Sequence, residues 1–381
     1  MTGGTGAAAA RIEPAHPAAP PAPGGMRPMT RDDIPAVAAM FGTVFARGRP
    51  TGHLPAYIET VFFGSPHYSE EHGSVVYDDG RTGVTSAVLS LPMPFSIHGE
   101  TVMARLVCAF MSDGSKASVL GAARIARSLR PSQVEMCFSD SSSPTSANHC
   151  TTSGGIVLPV ESLEWRRVFL PLSATALNAR HGRPRGFLPA VAPLRLLDRL
   201  VLAWKPSIRP RPAAGCTARA APLSAFLDCA GGMTERFAVR PIWSQADFDW
   251  LTRTAALNTG LGRLQCRVVE KAGQTLGAFL FFGRPGQTAC VMNVLCDEGY
   301  EFDVVGQMFA CLAEEGYALA SGIAQPFTIN AVMRQRQLTF KHRGYFCLST
   351  RRGDLVEAAR KGDIYIGGLA SESWSRLVTD F

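Results

Sequence analysis

Two short stretches of the 381-residue chain hold residue types from which a reactive site could be built. Ser112-Asp113-Gly114-Ser115-Lys116 follows the strand-like run Thr101–Met111 and opens a helix. The first amides of a helix lack partners within it and point outward. A Gly/Ser turn there can hold an anion, and Lys116 adds positive charge. Asp113 opposes such an anion, and the same residues also read as an ordinary Ser-capped helix start. Further on, the strand-like run Val134–Phe138 carries Glu135 and leads to Asp140. A strand-end carboxylate beside a cleft can take a proton from a substrate. Asp140 could equally cap the turn that follows it. His149, on the short helix beyond, reads as a surface or packing residue.

The rest of the chain must position these groups. Its length suits two domains of medium size, and 46% apolar residues can bury a substantial core. The net charge of +7 suits anionic ligands. No Lys/Arg block interleaved with aromatics is present, so nucleic acid is disfavoured. Ten cysteines lie between Cys108 and Cys347 without a C-x-x-C pair or zinc-like Cys/His spacing. They read as reduced thiols, with no metal expected. Residues 1–25, rich in Pro, Ala and Gly, read as a disordered lead-in and not as a signal peptide. No run reaches the ~20 uncharged apolar residues of a transmembrane segment. A cytoplasmic protein is expected.

Order should begin near Met26. A strand MRPMT leads to a helix from Arg31 to about Arg47, capped by Thr30 with Asp33 three residues later. Three strands, a long helix, a strand and a short helix follow, and Ile156–Val160 with Leu163–Phe169 should close a unit, residues 26–170, as a β-pair. Residues 171–235 form a basic linker. Arg180, Arg183, Arg185, Arg195, Arg199, Lys205, Arg209 and Arg211 face the single acid Asp198. A helix near 192–204 should pack through Leu194, Leu197, Val201 and Trp204, with Arg195, Asp198 and Arg199 outward. An interfacial membrane helix is the alternative. The pattern then restarts over 236–381: Arg240-Pro241 echoes Arg27-Pro28, and Ser244 with Asp247 echoes Thr30 with Asp33. The stretches SDSSSPTSAN (139–148) and SGIAQPFTIN (321–330) also align, matching Ser139 with Ser321, Pro144 with Pro326 and Asn148 with Asn330. The pattern is a domain written twice. A helix over Ile329–Phe340 would carry Arg334 and Arg336, with Lys341, His342 and Arg343 beyond, as a solvated face or an anion-binding patch.

The order strand, two helices, three antiparallel strands, helix, strand, helix, strands resembles the GNAT acyltransferase superfamily. PSQVEMCFSD, TSANHCTTSGG and LEWRRVFLP, together with the C-terminal GDIYIGGLASESWSRL, resemble a bacterial branch carrying two such domains. The resemblance implies an α+β (mixed α/β) fold: two tandem domains, each a mostly antiparallel central sheet flanked by helices. It implies acyl transfer from acetyl-CoA or another acyl-CoA to a small amine or amino sugar. Backbone at Phe110 and Met111 would meet the thioester, and Gly114, Ser115, Lys116, Ser118 and Gly121 the pyrophosphate. The helix signature departs from the family pattern: the nearest fit, Ser118 to Ala123, lacks the initial Arg or Gln. The position of the family's aromatic acid falls at Cys150, where buried packing is the competing role, and the base would be Asp140 or Glu135. In the second copy, Asp297, Glu298 and Glu301 would repel a pyrophosphate, so that copy should not bind coenzyme A. Two other functions stay open. One is a non-catalytic acyl-CoA-binding or scaffolding protein on a degenerate fold. The other is a Fem-type aminoacyl-tRNA-dependent transferase, whose tRNA surface would be the basic stretch 180–211. The oligomeric state is not fixed by these features.

Overall fold

The computed structural model describes residues 24–46, 51–180 and 191–379. Most of the expected lead-in, together with Arg47, Arg183 and Arg185, lies outside the described residues. The strands, in chain order, are β1 (Gly25–Pro28), β2 (Val75–Asp78), β3 (Val84–Ile97), β4 (Glu100–Ser112), β5 (Cys137–Ser142), β6 (Ile156–Leu158), β7 (Leu163–Val168) and β8 (Cys216–Ala221). They continue with β9 (Val239–Pro241), β10 (Arg263–Lys271), β11 (Gln274–Gly283), β12 (Thr288–Cys296), β13 (Leu319–Ile323), β14 (Leu338–His342) and β15 (Tyr345–Ser349).

These strands form two sheets with one repeated order. The first runs β1-β2-β3-β4-β5-β15-β6, and the second β8-β10-β11-β12-β13-β7-β14. Numbered within each half, with β9 set aside because it pairs with β3 of the first sheet, both read 1-2-3-4-5-7-6. The seventh strand of each half is exchanged: β15 enters the first sheet, and β7 the second. Each sheet is antiparallel except at the centre, where β4 pairs parallel with β5 and β12 with β13. The expected β-pair of Ile156–Val160 with Leu163–Phe169 is therefore corrected. β6 pairs with β15, while β7 pairs with β13 and β14. Both segments have strand character, but their partners are distant in sequence.

The local signals behave as chemistry dictates. His98 and Gly99, both at positive φ, turn β3 into β4, the geometry a two-residue hairpin requires. Both capping boxes form: Thr30 N–H and Oγ1 donate to Asp33, and Ser244 N–H and Oγ to Asp247. The strand echo does not hold. β9 pairs with β3 of the first sheet, and the outer strand of the second is β8, inside the expected linker. The expected helix over Ile329–Phe340 ends at Met333, and Leu338–His342 is β14. Gln337, at φ 57°, breaks the chain between them. One contiguous core joins the halves: Phe138, Leu158, Phe346 and Leu348 share it with Leu264, Phe282, Tyr365 and Trp374.

Candidate active site

A β-sheet opens where two neighbouring strands stop pairing, and here both sheets open at the parallel pair. β4 and β5 are paired only at Arg105–Cys137 and Leu106–Phe138. Beyond that point β4 runs on to Ser112 and β5 to Ser142, apart. The cause lies in β4. Against β3, Ala109 faces Leu89 and Val107 faces Ser90, leaving Cys108 as an extra, bulged residue. A bulge bends its strand and ends local pairing. In the second sheet, β12 and β13 pair from Thr288–Leu319 to Val291–Gly322. Met292 is the bulged residue there.

The first opening is lined by charge. Asp140, in the middle of β5 and only 1% exposed, accepts from Ser373 Oγ at 2.8 Å and pairs with Arg343 at 3.3 Å. Glu372, also 1% exposed, accepts from Ser141 Oγ. Burial raises the Glu372 carboxyl to about 8, and Asp140 adds to the shift. Burial opposes the Arg343 charge, but Asp140 and Glu372 together hold the guanidinium above its ordinary value. Burial first, then Glu372 and Asp140, pushes the Cys108 thiol well up, so it is no thiolate nucleophile. Asp140 Oδ1 and Glu372 Oε2 are buried without a hydrogen-bond partner among the described residues. Two carboxyl groups with orphaned oxygens in a strand opening can exchange protons with a bound group.

The second opening is filled by the chain itself. Asn293 Nδ2 donates to Tyr365 Oη and Gly367 O, both at 3.2 Å, and Asn293 Oδ1 accepts from Leu369 N–H at 2.8 Å. Tyr365 Oη donates to Val294 O at 3.2 Å. Gly368 lies so close that a Cβ would stand 2.2 Å from Met292 O. The space left, lined by Trp165, Val291, Met308 and Val332 among others, is about 20 Å³, room for roughly one water. Residues 364–370 thus plug the second opening, and 372–375 continue to the wall of the first.

The sequence-derived residues divide. Asp140 lies in the opening. Glu135 lies before β5, at its paired end, and is tied to Arg351. Cys150 faces the other way, against Leu348 O at 3.8 Å and Ser349 Oγ at 3.6 Å. The neighbouring Cys347 holds the Cys150 thiol below its ordinary value, while Cys150 and burial push Cys347 up. Met111 is buried in the core, and Phe110 packs beside Val88 and Ile125.

At the start of helix Lys116–Ser128, Asp113 supplies its own anion. Asp113 Oδ1 accepts from Ser115 N–H at 2.8 Å. Burial nudges that carboxyl up, but the Ser115 and Ser118 hydrogen bonds outweigh it and hold it below its ordinary value. Asp113 N–H donates to Thr85 O, and Ser118 N–H to Ser115 Oγ. The amides of Gly114 and Lys116 have no partner among the described residues. Ser118 turns inward, its Oγ donating to Ser115 O. Gly121 is a packing glycine, since a Cβ there would stand 2.6 Å from Tyr77 Cδ1. In the second half, of the three acids at the corresponding place, Glu301 pairs with Arg236 at 2.9 Å, and the nearby Asp303 pairs with Lys271 at 3.2 Å.

Nothing local in the sequence marks Glu372, Ser373 or Ser141 as site residues, and Arg343 reads only as part of a basic patch. The C-terminal GDIYIGGLASESWSRL was singled out, but its meeting with β5 depends on the exchanged strand order. The basic patch proposed for 334–343 is not one surface. Arg343 turns inward to Asp140, Arg334 lies over Phe302 at 4.1 Å, and Lys341 is 3.9 Å from Glu164. Among the described residues no cluster of His, Cys, Asp and Glu could hold a metal ion, and no helix is long and apolar enough to cross a membrane.

No family profile and no curated protein matches the chain. Solved structures do. A GCN5-related N-acetyltransferase from Anabaena variabilis superposes with a TM-score of 0.55 at 9% identity, over 86% of this chain and 73% of that one. A conserved protein of unknown function from Enterococcus faecalis, described as a probable N-acyltransferase, gives 0.54 at 12% identity, over 88% and 75%. At such identities the likeness concerns architecture alone, and the two mostly antiparallel sheets flanked by helices are a mixed α/β fold of the GNAT type.

Proposed function

We propose that the protein is an acyl-CoA-dependent N-acyltransferase that works in the opening between β4 and β5. The observation that carries this reading is the bulged, unpaired end of β4 facing two buried carboxyl groups with orphaned oxygens, on a fold shared with N-acetyltransferases. An amine nitrogen attacks the thioester carbonyl carbon, the carbon–sulfur bond breaks, and coenzyme A leaves as a thiolate. The amine's proton goes to Asp140, which Ser373 and Arg343 hold in place. Glu372, its carboxyl at about 8, retains a proton at neutral pH that it can give to the departing sulfur. The site is reset when the proton that Asp140 took from the amine passes to Glu372. The acceptor is a small amine or amino sugar, and the acyl group acetyl. The two-domain branch named above fits the doubled strand order.

The test has two parts. Acetyl-CoA at 100 times its dissociation constant should add ~2.7 kcal/mol of stability in a thermal-shift assay. Acyl transfer to a panel of amines should then be lost in Asp140→Asn. Absence of any shift with acetyl-CoA or longer acyl-CoAs would overturn the proposal. A second reading, a non-catalytic scaffolding protein on the same fold, is favoured by one observation: Asp113 occupies the helix start where the pyrophosphate would lie. Neither a thermal shift nor transfer would then be seen.

A further inference from the structure

Helix Val191–Trp204 packs only in part as expected: Leu194 and Val201 are half-buried, but Leu197 and Trp204 are exposed. Asp198, expected outward, is fully buried. Its carboxylate accepts from Leu172 N–H at 2.8 Å, from Ser173 N–H at 3.0 Å and from Ser173 Oγ at 2.7 Å, so it caps helix Pro171–Arg180. A second anchor is Arg195, which donates to Pro285 O at 2.7 Å. With Asp198 fixed inward and Arg195 tied along the surface, a stripe of apolar residues faces out. Trp204 is 80% exposed, Leu200 67%, Leu196 61% and Leu197 48%. Leu196, Leu200 and Trp204 stand four residues apart, a single stripe along the helix.

The charges around this stripe are of one sign. Arg199, Lys205, Arg209 and Arg211 are exposed on or just beyond the helix. From residue 171 to 227 Asp198 is the only acid, and it is buried and bonded. Two copies of such a face would bring like charges together. An anionic lipid surface offers both of the missing halves, an apolar layer for leucine and tryptophan and phosphates for the cations.

We propose that this helix docks the protein on an anionic membrane surface, lying in the interface with Leu196, Leu200 and Trp204 in the acyl boundary. The full chain is mixed with vesicles of phosphatidylcholine alone, or of an equimolar mixture with phosphatidylglycerol, and the bound fraction is measured by flotation. Binding is expected to the mixed vesicles only, with a blue shift of tryptophan emission that Trp204→Ser removes. Leu200→Glu and Trp204→Ser should each weaken binding at least tenfold, with melting temperature unchanged because both side chains are in solvent. Each of Arg199→Gln and Lys205→Gln should weaken it about fivefold, and added salt should do the same. The proposal is overturned by failure of the wild type to float with the mixed vesicles. It is equally overturned by binding that survives both apolar substitutions, or by a lipid-free dimer that Leu200→Glu dissociates.

Discussion

The two strand openings are built alike and used differently. Each follows a bulge on the fourth strand of its order, Cys108 in β4 and Met292 in β12. Into the second the chain inserts its own residues 365–369: Asn293 Nδ2 donates to Tyr365 Oη and Gly367 O, and its Oδ1 accepts from Leu369 N–H. Onto the first it lays Glu372 and Ser373, and two carboxyl oxygens are left without partners. A bulge parts two strands but does not decide what comes between them. In one copy the gap is satisfied with protein groups and becomes core. In the other it retains charge that folding alone does not require, at a cost that burial makes substantial.

The largest expected effect that separates the openings falls on Asp140. Asp140→Asn should lower acyl transfer about 10²–10⁴-fold while Ser373 still finds an acceptor. It also strips Arg343 of its charge partner, which can cost about 3–5 kcal/mol. Arg343→Met added to Asp140→Asn should recover the melting temperature without recovering turnover. Recovery of both would assign Asp140 to structure. The matching change in the other opening is Asn293→Ala. It leaves the buried Leu369 amide without an acceptor and should cost about 2–4 kcal/mol in denaturant unfolding. Turnover per folded molecule should be unchanged.

Much of this architecture was legible in the chain. The capping residues Thr30 and Ser244, the His98-Gly99 turn and the matched decapeptides 139–148 and 321–330 are local signals, and each stands where its chemistry placed it. Asp140 was legible only in part: it reads as the end of a strand, and it lies inside β5, which runs on to Ser142. What failed was pairing across distance. The strand character of Leu163–Val168 gave no hint that its partners are β13 and β14. Without that exchange, Arg343 and Glu372 could not be brought to Asp140. Asp198 misled for a related reason: a carboxylate beside two arginines reads as solvent-facing until the helix it caps is folded against it.

Glu372 makes the openings differ in pH as well. Its folded value, about 8, lies above the 4.5 of an ordinary glutamate. Folded and unfolded chains both hold the proton below about 4.5, so its contribution to stability is whole there. As pH rises the unfolded chain loses the proton first, and stability falls until the folded group also ionises near 8. Glu372→Gln should flatten that slope and leave the protein more stable than wild type above pH 8, by on the order of 2–4 kcal/mol. Unfolding free energies across the range measure it. A wild-type curve already flat between these values would show that the carboxyl is solvated in solution.

The smallest effect tests the helix starts and not the openings. In the first half, Asp113 takes the Ser115 amide that a phosphate would otherwise use. In the second, Glu301 and Asp303 are paired with Arg236 and Lys271. A charge within the first turn of a helix is worth about 0.3–1 kcal/mol, so Asp113→Asn should tighten coenzyme A binding about two- to fivefold. Asp303→Asn should leave it unchanged, since the second opening has no room for a thioester arm. Calorimetric titration of both variants decides between the halves. Tightening in Asp303→Asn instead would move the cofactor to the second sheet, where it would have to displace Tyr365 and the residues bonded to Asn293. An Asp113→Asn variant that binds no better would mean that the pyrophosphate never approaches helix Lys116–Ser128.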